Sequence, residues 1–234
     1  MHTDTHPTRP LRPLLWTTVL LLGLFWSQAP VRADDAVEAR ALVEKAKVTL
    51  ENFLADENLT WFHNNVGKAK GVLIVPQLLK GGFFLGASGG SGVFLVRDET
   101  TGQWSYPAFY TMGAVSFGLQ IGAQAAEVVL VVTTEKGVDA FLSNKFQLGA
   151  DVGVAAGPVG AGAQAATADI LSFARAKGLY TGVSVEGAVI AVRDSLNAAY
   201  YGREVSPVDI LVKQVVVNRH ADPLRQVLMR LRNR

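Results

Sequence analysis

The chain has 234 residues, 49% of them hydrophobic and 18% charged, with a formal net charge of +2. That composition is globular and leaves room for one domain of about 200 residues once a leader is removed. There is no cysteine, which excludes disulfides, thiolate metal sites, a cysteine nucleophile and an acylated lipoprotein anchor.

Residues 1–33 have the layout of a secretory signal. Arg9 and Arg12 make a basic start, and Leu14 to Trp26 is an apolar core, too short for the roughly 20 residues that span a bilayer. Val31-Arg32-Ala33 puts small residues at the minus-three and minus-one positions, so cleavage is expected after Ala33, with a single domain over 34–234. Export to the periplasm or beyond follows. Arg9, Arg12 and Arg32 against Asp4 place the whole net charge in the leader. A formally neutral mature chain argues against a nucleic-acid partner, which needs a strong positive field.

Asp35 to Ala55 is predicted as an amphipathic helix. Ala39, Leu42, Val43, Ala46, Leu50, Phe53 and Leu54 recur at three- and four-residue spacing, while Glu38, Lys45 and Glu51 fall on the opposite face. Asp34 or Asp35 is placed to cap its start. Asn58 to Val66 predicts a second short helix or turn, carrying Trp61 and Phe62. From Lys68 to Ile121 the pattern changes to short apolar runs broken by glycines. Val72–Val75, Phe83–Leu85 and Val93–Val96 predict short strands, and Asp98 to Gly102 predicts a hairpin loop. Runs this close together pair antiparallel, because a parallel crossover needs a dozen or more residues.

Pro107 is expected at an edge, a bulge or a strand start. Glu127 to Thr134 predicts a buried strand and Glu135 to Asn144 a short helix. Residues 146–192 form a second glycine-spaced region in which Gly187 suits a bulge. Asp194 to Tyr201, Pro207 to Lys213 and Ala221 to Leu231 predict helices, with Pro223 in the first turn of the last. The expected fold class is α+β: a glycine-rich curved antiparallel β-sheet or barrel-like sandwich, with an N-terminal amphipathic helix and short peripheral helices.

Few motifs point to chemistry. Gly86-Ala87-Ser88-Gly89-Gly90 spells G-x-S-x-G, but a nucleophile elbow needs a strand-to-helix turn at the serine. Here a predicted strand follows, so the segment reads as a glycine-rich connection; an exported serine hydrolase using Ser88 is the alternative function. Gly160-Ala161-Gly162-Ala163-Gln164-Ala165 matches a loose dinucleotide fingerprint without the alternating strand and helix pattern it requires. Ala163 to Ala176 has a composition compatible with helix. His63 and His220 are the histidines of the mature chain, far apart and without a second ligand at helical spacing. No catalytic residue, metal site or cofactor is expected. Lys45, Lys47, Lys68, Lys70 and Lys80, with Trp61, Phe62 and Phe83–Phe84 nearby, are candidates for contacting anionic headgroups while aromatics enter the interface.

The blocks AKGVLIVP, KGGFFLGASGGSGVFLVR, GQWSYPAF, SFGLQIG, LGADVGVAAGPVG, AKGLYTGVSVEG and YYG, in that order, resemble the SYLF domain over about residues 36–231. The resemblance implies a non-enzymatic lipid-binding module, with phosphoinositide recognition in animal members and actin binding in yeast members. It also implies a membrane role for the amino-terminal helix, at about Ala36 to Phe53 here. Because that helix carries acids as well as bases, the expected ligands are anionic phospholipids of a membrane surface, with phosphoinositide-like headgroups implied by the resemblance alone. A protein partner in the envelope is a further expectation.

Overall fold

The structure, a computed structural model, describes residues 29–82, 85–117, 122–160, 165, 167–176, 179–180 and 185–231. Most of the predicted leader, Phe83–Phe84 and the centre of the dinucleotide-like motif lie outside the described residues.

Helix α1 runs over Ala29–Leu54, starting six residues before the predicted Asp35. Asp34 and Asp35 therefore lie inside the helix instead of capping it, and Pro30 falls in the first turn, where a missing N–H is tolerated. The apolar face predicted from the spacing is the buried one: Ala39, Ala46, Leu50 and Phe53 have no exposure. Short helix α2 (Thr60–Asn65) follows.

Strands β1 (Gly71–Gly82) and β2 (Leu85–Val96) are each 12 residues long, well beyond the predicted four-residue runs. The glycine-rich segment is not a connection but the first half of β2, paired on both sides. The cause is a bulge at Pro76-Gln77, where β1 slips register against both neighbours. A bulge accommodates a proline inside a central strand, and it brings the chain close to β2. A Cβ on Gly90 would sit 2.3 Å from the Gln77 carbonyl oxygen, and one on Gly92 2.6 Å from that of Ile74. Glycine at these two positions is a packing requirement of the bulge, not a strand break.

The Asp98–Gly102 loop is as predicted: the Gly102 amide donates to the Asp98 carbonyl at 2.7 Å and Arg97 bridges Trp104. Pro107 directly precedes β3 (Ala108–Phe117). β4 (Gly122–Val132) ends where Thr134 caps helix α3 (Glu135–Leu142), its side chain accepting from the Gly137 amide. β5 (Lys145–Gln147), β6 (Val154–Ala156), β7 (Ile170–Ala176), β8 (Leu179–Tyr180) and β9 (Val189–Val192) complete the strands. Residues 170–176, compatible with helix by composition, are thus a strand, because alternation along Leu171, Phe173 and Arg175 fits the sheet. Gly187 occupies a turn at φ +79°, a left-handed conformation suited to glycine, and not a strand bulge. Helices α4 (Asp194–Tyr201), α5 (Pro207–Leu211) and α6 (Asp222–Leu231) match the predicted helices within two residues.

Among the described residues the strands form one sheet in the order β5-β9-β3-β2-β1-β4-β7-β6, with β8 beside β7. Every pairing is antiparallel except β6 with β7. Both faces carry a core. On one, α1, α2, α4 and α6 pack on Val72, Ile74, Val93, Leu95, Phe109 and Val129. On the other, α3 and α5 cover Leu73, Val75, Phe94, Tyr110 and Leu130. The α+β architecture built around a curved, largely antiparallel sheet agrees with the sequence expectation.

Candidate functional site

The expected lysine and aromatic surface is dispersed by the fold. Phe62 has no exposure; it packs 5.8 Å from Phe53 and 5.1 Å from Phe173 between ring centroids. It is a core residue and offers nothing to an interface in this conformation. Trp61 is half-buried, stacked on Phe173 at 5.9 Å. His63 Nε2 donates to the Phe53 carbonyl near the end of α1 at 3.3 Å, a packing role. Lys68 is exposed in the turn before β1, and Lys70 precedes the strand, so the two do not share a strand face.

The Lys70 ammonium is held between Glu99 and Glu135, at 2.6 Å from the latter. Those carboxylates raise its pKa, Glu135 most, and they neutralise its charge. Lys80 is ten residues away along β1, roughly 30 Å at strand rise, at the opposite end of the sheet. Partial burial lowers its pKa. Lys47 pairs with Glu51 one turn on, at 2.7 Å. Lys45 is exposed and makes no ion pair among the described residues.

Lys45 stands at a cleft of about 630 Å³ between α1 and the sheet, lined also by Val48, Thr49, Pro76, Gln77, Ala125, Ala126, Glu127 and Arg175, and by Glu44, whose carboxylate is engaged with His220. The bulge that the glycines of β2 permit forms one wall, presenting Pro76 and Gln77 toward α1. The floor is a polar hub. Glu127 accepts from Thr49 at 3.1 Å, from Asn52 at 3.4 Å, and from Arg175 Nε at 3.0 Å and Nη2 at 2.5 Å. The Arg175 guanidinium also lies over the Phe53 ring at 5.5 Å. Its charge is therefore spent internally, and the hub fixes α1 to β4 and β7. A second clasp holds α1 nearer its start: Arg193 reaches Glu38 at 2.6 Å and Ser91 at 2.8 Å. Between the clasps, Lys45 is the cation left to face solvent in the cleft. Sequence reasoning chose Lys45 but missed its surroundings, because Thr49, Gln77, Glu127 and Arg175 meet only through the sheet register.

Ser88 lies within β2, paired with Lys80 on one side and Ala114 on the other. It has no strand-to-helix turn, and His220 is engaged elsewhere, 3.3 Å from the Tyr200 hydroxyl and 3.1 Å from Glu44. The nucleophile-elbow alternative is overturned by this geometry. Among the described residues no group of three or more metal-ligating side chains comes together, and no helix is long and apolar enough to cross a membrane.

A family model described as "Ysc84: Las17-binding protein actin regulator" matches residues 113–231. The chain belongs to the Ysc84 (SYLF) family. It is 34% identical over 169 residues to Protein YSC84 of Saccharomyces cerevisiae, covering 69% of this chain and 36% of that protein. It is also 34% identical to LAS seventeen-binding protein 3 of the same yeast, over 69% of this chain and 36% of the relative. Against SH3 domain-containing YSC84-like protein 1 of Homo sapiens identity is 29%, over 70% of this chain and 49% of the relative. The match thus spans about a third to a half of each relative's own length. The family description names Las17 binding and actin regulation, and one of the yeast relatives is named for LAS seventeen binding.

Proposed function

We propose that this chain is an exported, non-enzymatic member of the Ysc84 (SYLF) family that binds anionic phospholipid surfaces through residues 34–234, after removal of the leader at Ala33. The observation that carries the reading is Lys45, an exposed cation without an acid partner among the described residues, at a cleft where Arg175 is already neutralised. An ammonium so placed is free to meet a phosphate. Lys68, exposed on the far side of α2 in sequence, supplements it. The paired Lys70 and Lys47 contribute less than the sequence expectation assigned them, and phosphoinositide-like headgroups are one form of the anionic ligand. The family description and the name of one yeast relative favour a second reading, a protein partner held by the same domain.

Co-sedimentation with phosphatidylcholine vesicles containing phosphatidylglycerol tests the first reading. Each lysine near an anionic surface contributes about 1 kcal/mol, so reversing two charges, Lys45→Glu with Lys68→Glu, weakens binding by well over tenfold. Lys70→Gln weakens it less, and raising salt mimics the double reversal. Equal binding by wild type and double variant at low salt would overturn the electrostatic reading.

A further inference from the structure

The α1-side face of the sheet is covered along only part of its length. Val72, Ile74, Val93, Leu95 and Phe109 lie under the helices with no exposure. Beyond the Pro76-Gln77 bulge the same face is open. The strand register sets Ala125 (β4), Leu79 (β1), Gly89 (β2), Gly113 (β3) and Val189 (β9) in one row. Gly81, Ala87 and Val115 form the next. Leu79, Val115 and Val189 are 55%, 66% and 40% exposed.

The glycines here differ from those at the bulge. A Cβ on Gly81 or Gly89 would meet nothing within 4 Å, and one on Gly113 only the Ser88 carbonyl oxygen, at 3.5 Å. No internal contact requires them. Their effect is a shallow apolar trough, with Leu79 and Val189 standing on either side of Gly89 and Gly113. The trough runs into the cleft, because Ala125, its first residue, also lines the wall beside Lys45.

We propose that this trough seats the acyl chain of an anionic amphiphile, whose carboxylate or phosphate lies at Lys45. The inference rests on the lipid-binding reading and deepens it. Three features select a hydrocarbon chain. Along the row from Leu79 through Gly89 to Gly113, β1, β2 and β3 are each paired on both sides, so that row offers no free backbone group. A peptide laid there would bury amides without partners, at a cost a hydrocarbon avoids. The row crosses four strand spacings, about 19 Å, the length of a common extended fatty-acyl chain. Finally, Lys45, a cation of the cleft without an ion pair among the described residues, sits at its end, which suits a negative head and an apolar tail.

Gly89→Gln fills the trough with a polar side chain where the backbone has room for it, and Val215→Gln, at an exposed valine elsewhere, serves as control. Wild type is expected to bind dansyl-labelled undecanoic acid saturably below its micellar concentration, with palmitic acid displacing it. Gly89→Gln and Lys45→Glu each weaken this by about tenfold or more, while Val215→Gln leaves it unchanged. An unaltered unfolding midpoint for Gly89→Gln confirms that the site, not the fold, was changed. Absence of saturable binding, or binding indifferent to Gly89→Gln, overturns the trough. Phosphatidylglycerol-containing vesicles separate the sources. A Gly89→Gln defect on both probes identifies a phospholipid chain, and a defect on the soluble probe alone identifies a free fatty acid. Vesicle binding by wild type and Gly89→Gln alike, with no fatty-acid binding, sinks the trough and leaves the lipid reading standing. Failure of wild type to bind vesicles sinks the lipid reading itself.

Discussion

Glu127 opens a run that is otherwise apolar, and four donor groups from α1 and β7 converge on it. Its side chain and that of Arg175 are 25% and 16% exposed, so the pair is shielded without being fully dry. Removing the carboxylate leaves a half-buried guanidinium and two α1 donors without their acceptor. Glu127→Ala should cost about 2 kcal/mol of stability, and Glu127→Gln less, because the amide oxygen still accepts; urea midpoints with an unchanged m-value would check both. Asp209 offers a pH-dependent counterpart. In the capping box of α5 it bonds the Ser206 hydroxyl and, one turn on, Lys213. The Ser206 contact, more than Lys213, holds its carboxyl at about 2. The folded value lies below the unfolded one near 3.9. This group therefore stabilises the fold above pH 4 and loses that contribution as pH falls through 2. Asp209→Asn should show a flatter loss of stability between pH 4 and 2, and an NMR titration of Asp209 should give the low midpoint directly. Neither residue was legible as a site member from sequence. A lone Glu in an apolar strand and a lone Arg in another signal a cross-strand pair only once the register, here Glu127 opposite Arg175, is known.

The most legible elements are those whose burial repeats at helical spacing: α1 and α6 follow directly from their apolar stripes. The strands are harder where glycine stands in for side chains. From sequence, β2 reads as a four-residue strand with a glycine connection before it, because Gly86, Gly89, Gly90 and Gly92 carry no β propensity of their own. Their strand conformation is imposed by neighbours on both sides, and two serve the β1 bulge. That division makes a sharp test. Gly90→Ala drives a methyl group against the Gln77 carbonyl and should destabilise by about 1–3 kcal/mol. Gly89→Ala, one residue away with open space above it, should be neutral or stabilise by up to about 1 kcal/mol, since alanine loses less entropy on folding. Equal effects, read as denaturation midpoints, would mean that the bulge does not press on β2 as the geometry requires.

At the scale of the whole molecule, sequence order and sheet order diverge. β1 is flanked by β2 and β4, and β3 pairs with β9 from nearly 80 residues further on. Antiparallel pairing was legible because loops such as Asp98–Gly102 are short; the placement of β9, β5, β7 and β6 was not, because long-range partners leave no local signal. The topology also bears on how far the family match can stand alone. Residues 113–231 begin inside β3 and omit β1 and β2, which lie between β3 and β4 in the sheet. A fragment of that span would lose α1 as well, and with it Val72, Ile74, Val93, Leu95, Leu50 and Phe53 from one core and Leu73, Val75 and Phe94 from the other. It would also expose the edges of β3 and β4, which invite pairing with other chains. Residues 113–231 alone should therefore show no cooperative thermal transition and should aggregate, whereas residues 34–234 should unfold cooperatively. A sharp, reversible transition from the fragment would show that the C-terminal strands close on themselves without β1, and the central position of β1 in the sheet would then have to be abandoned.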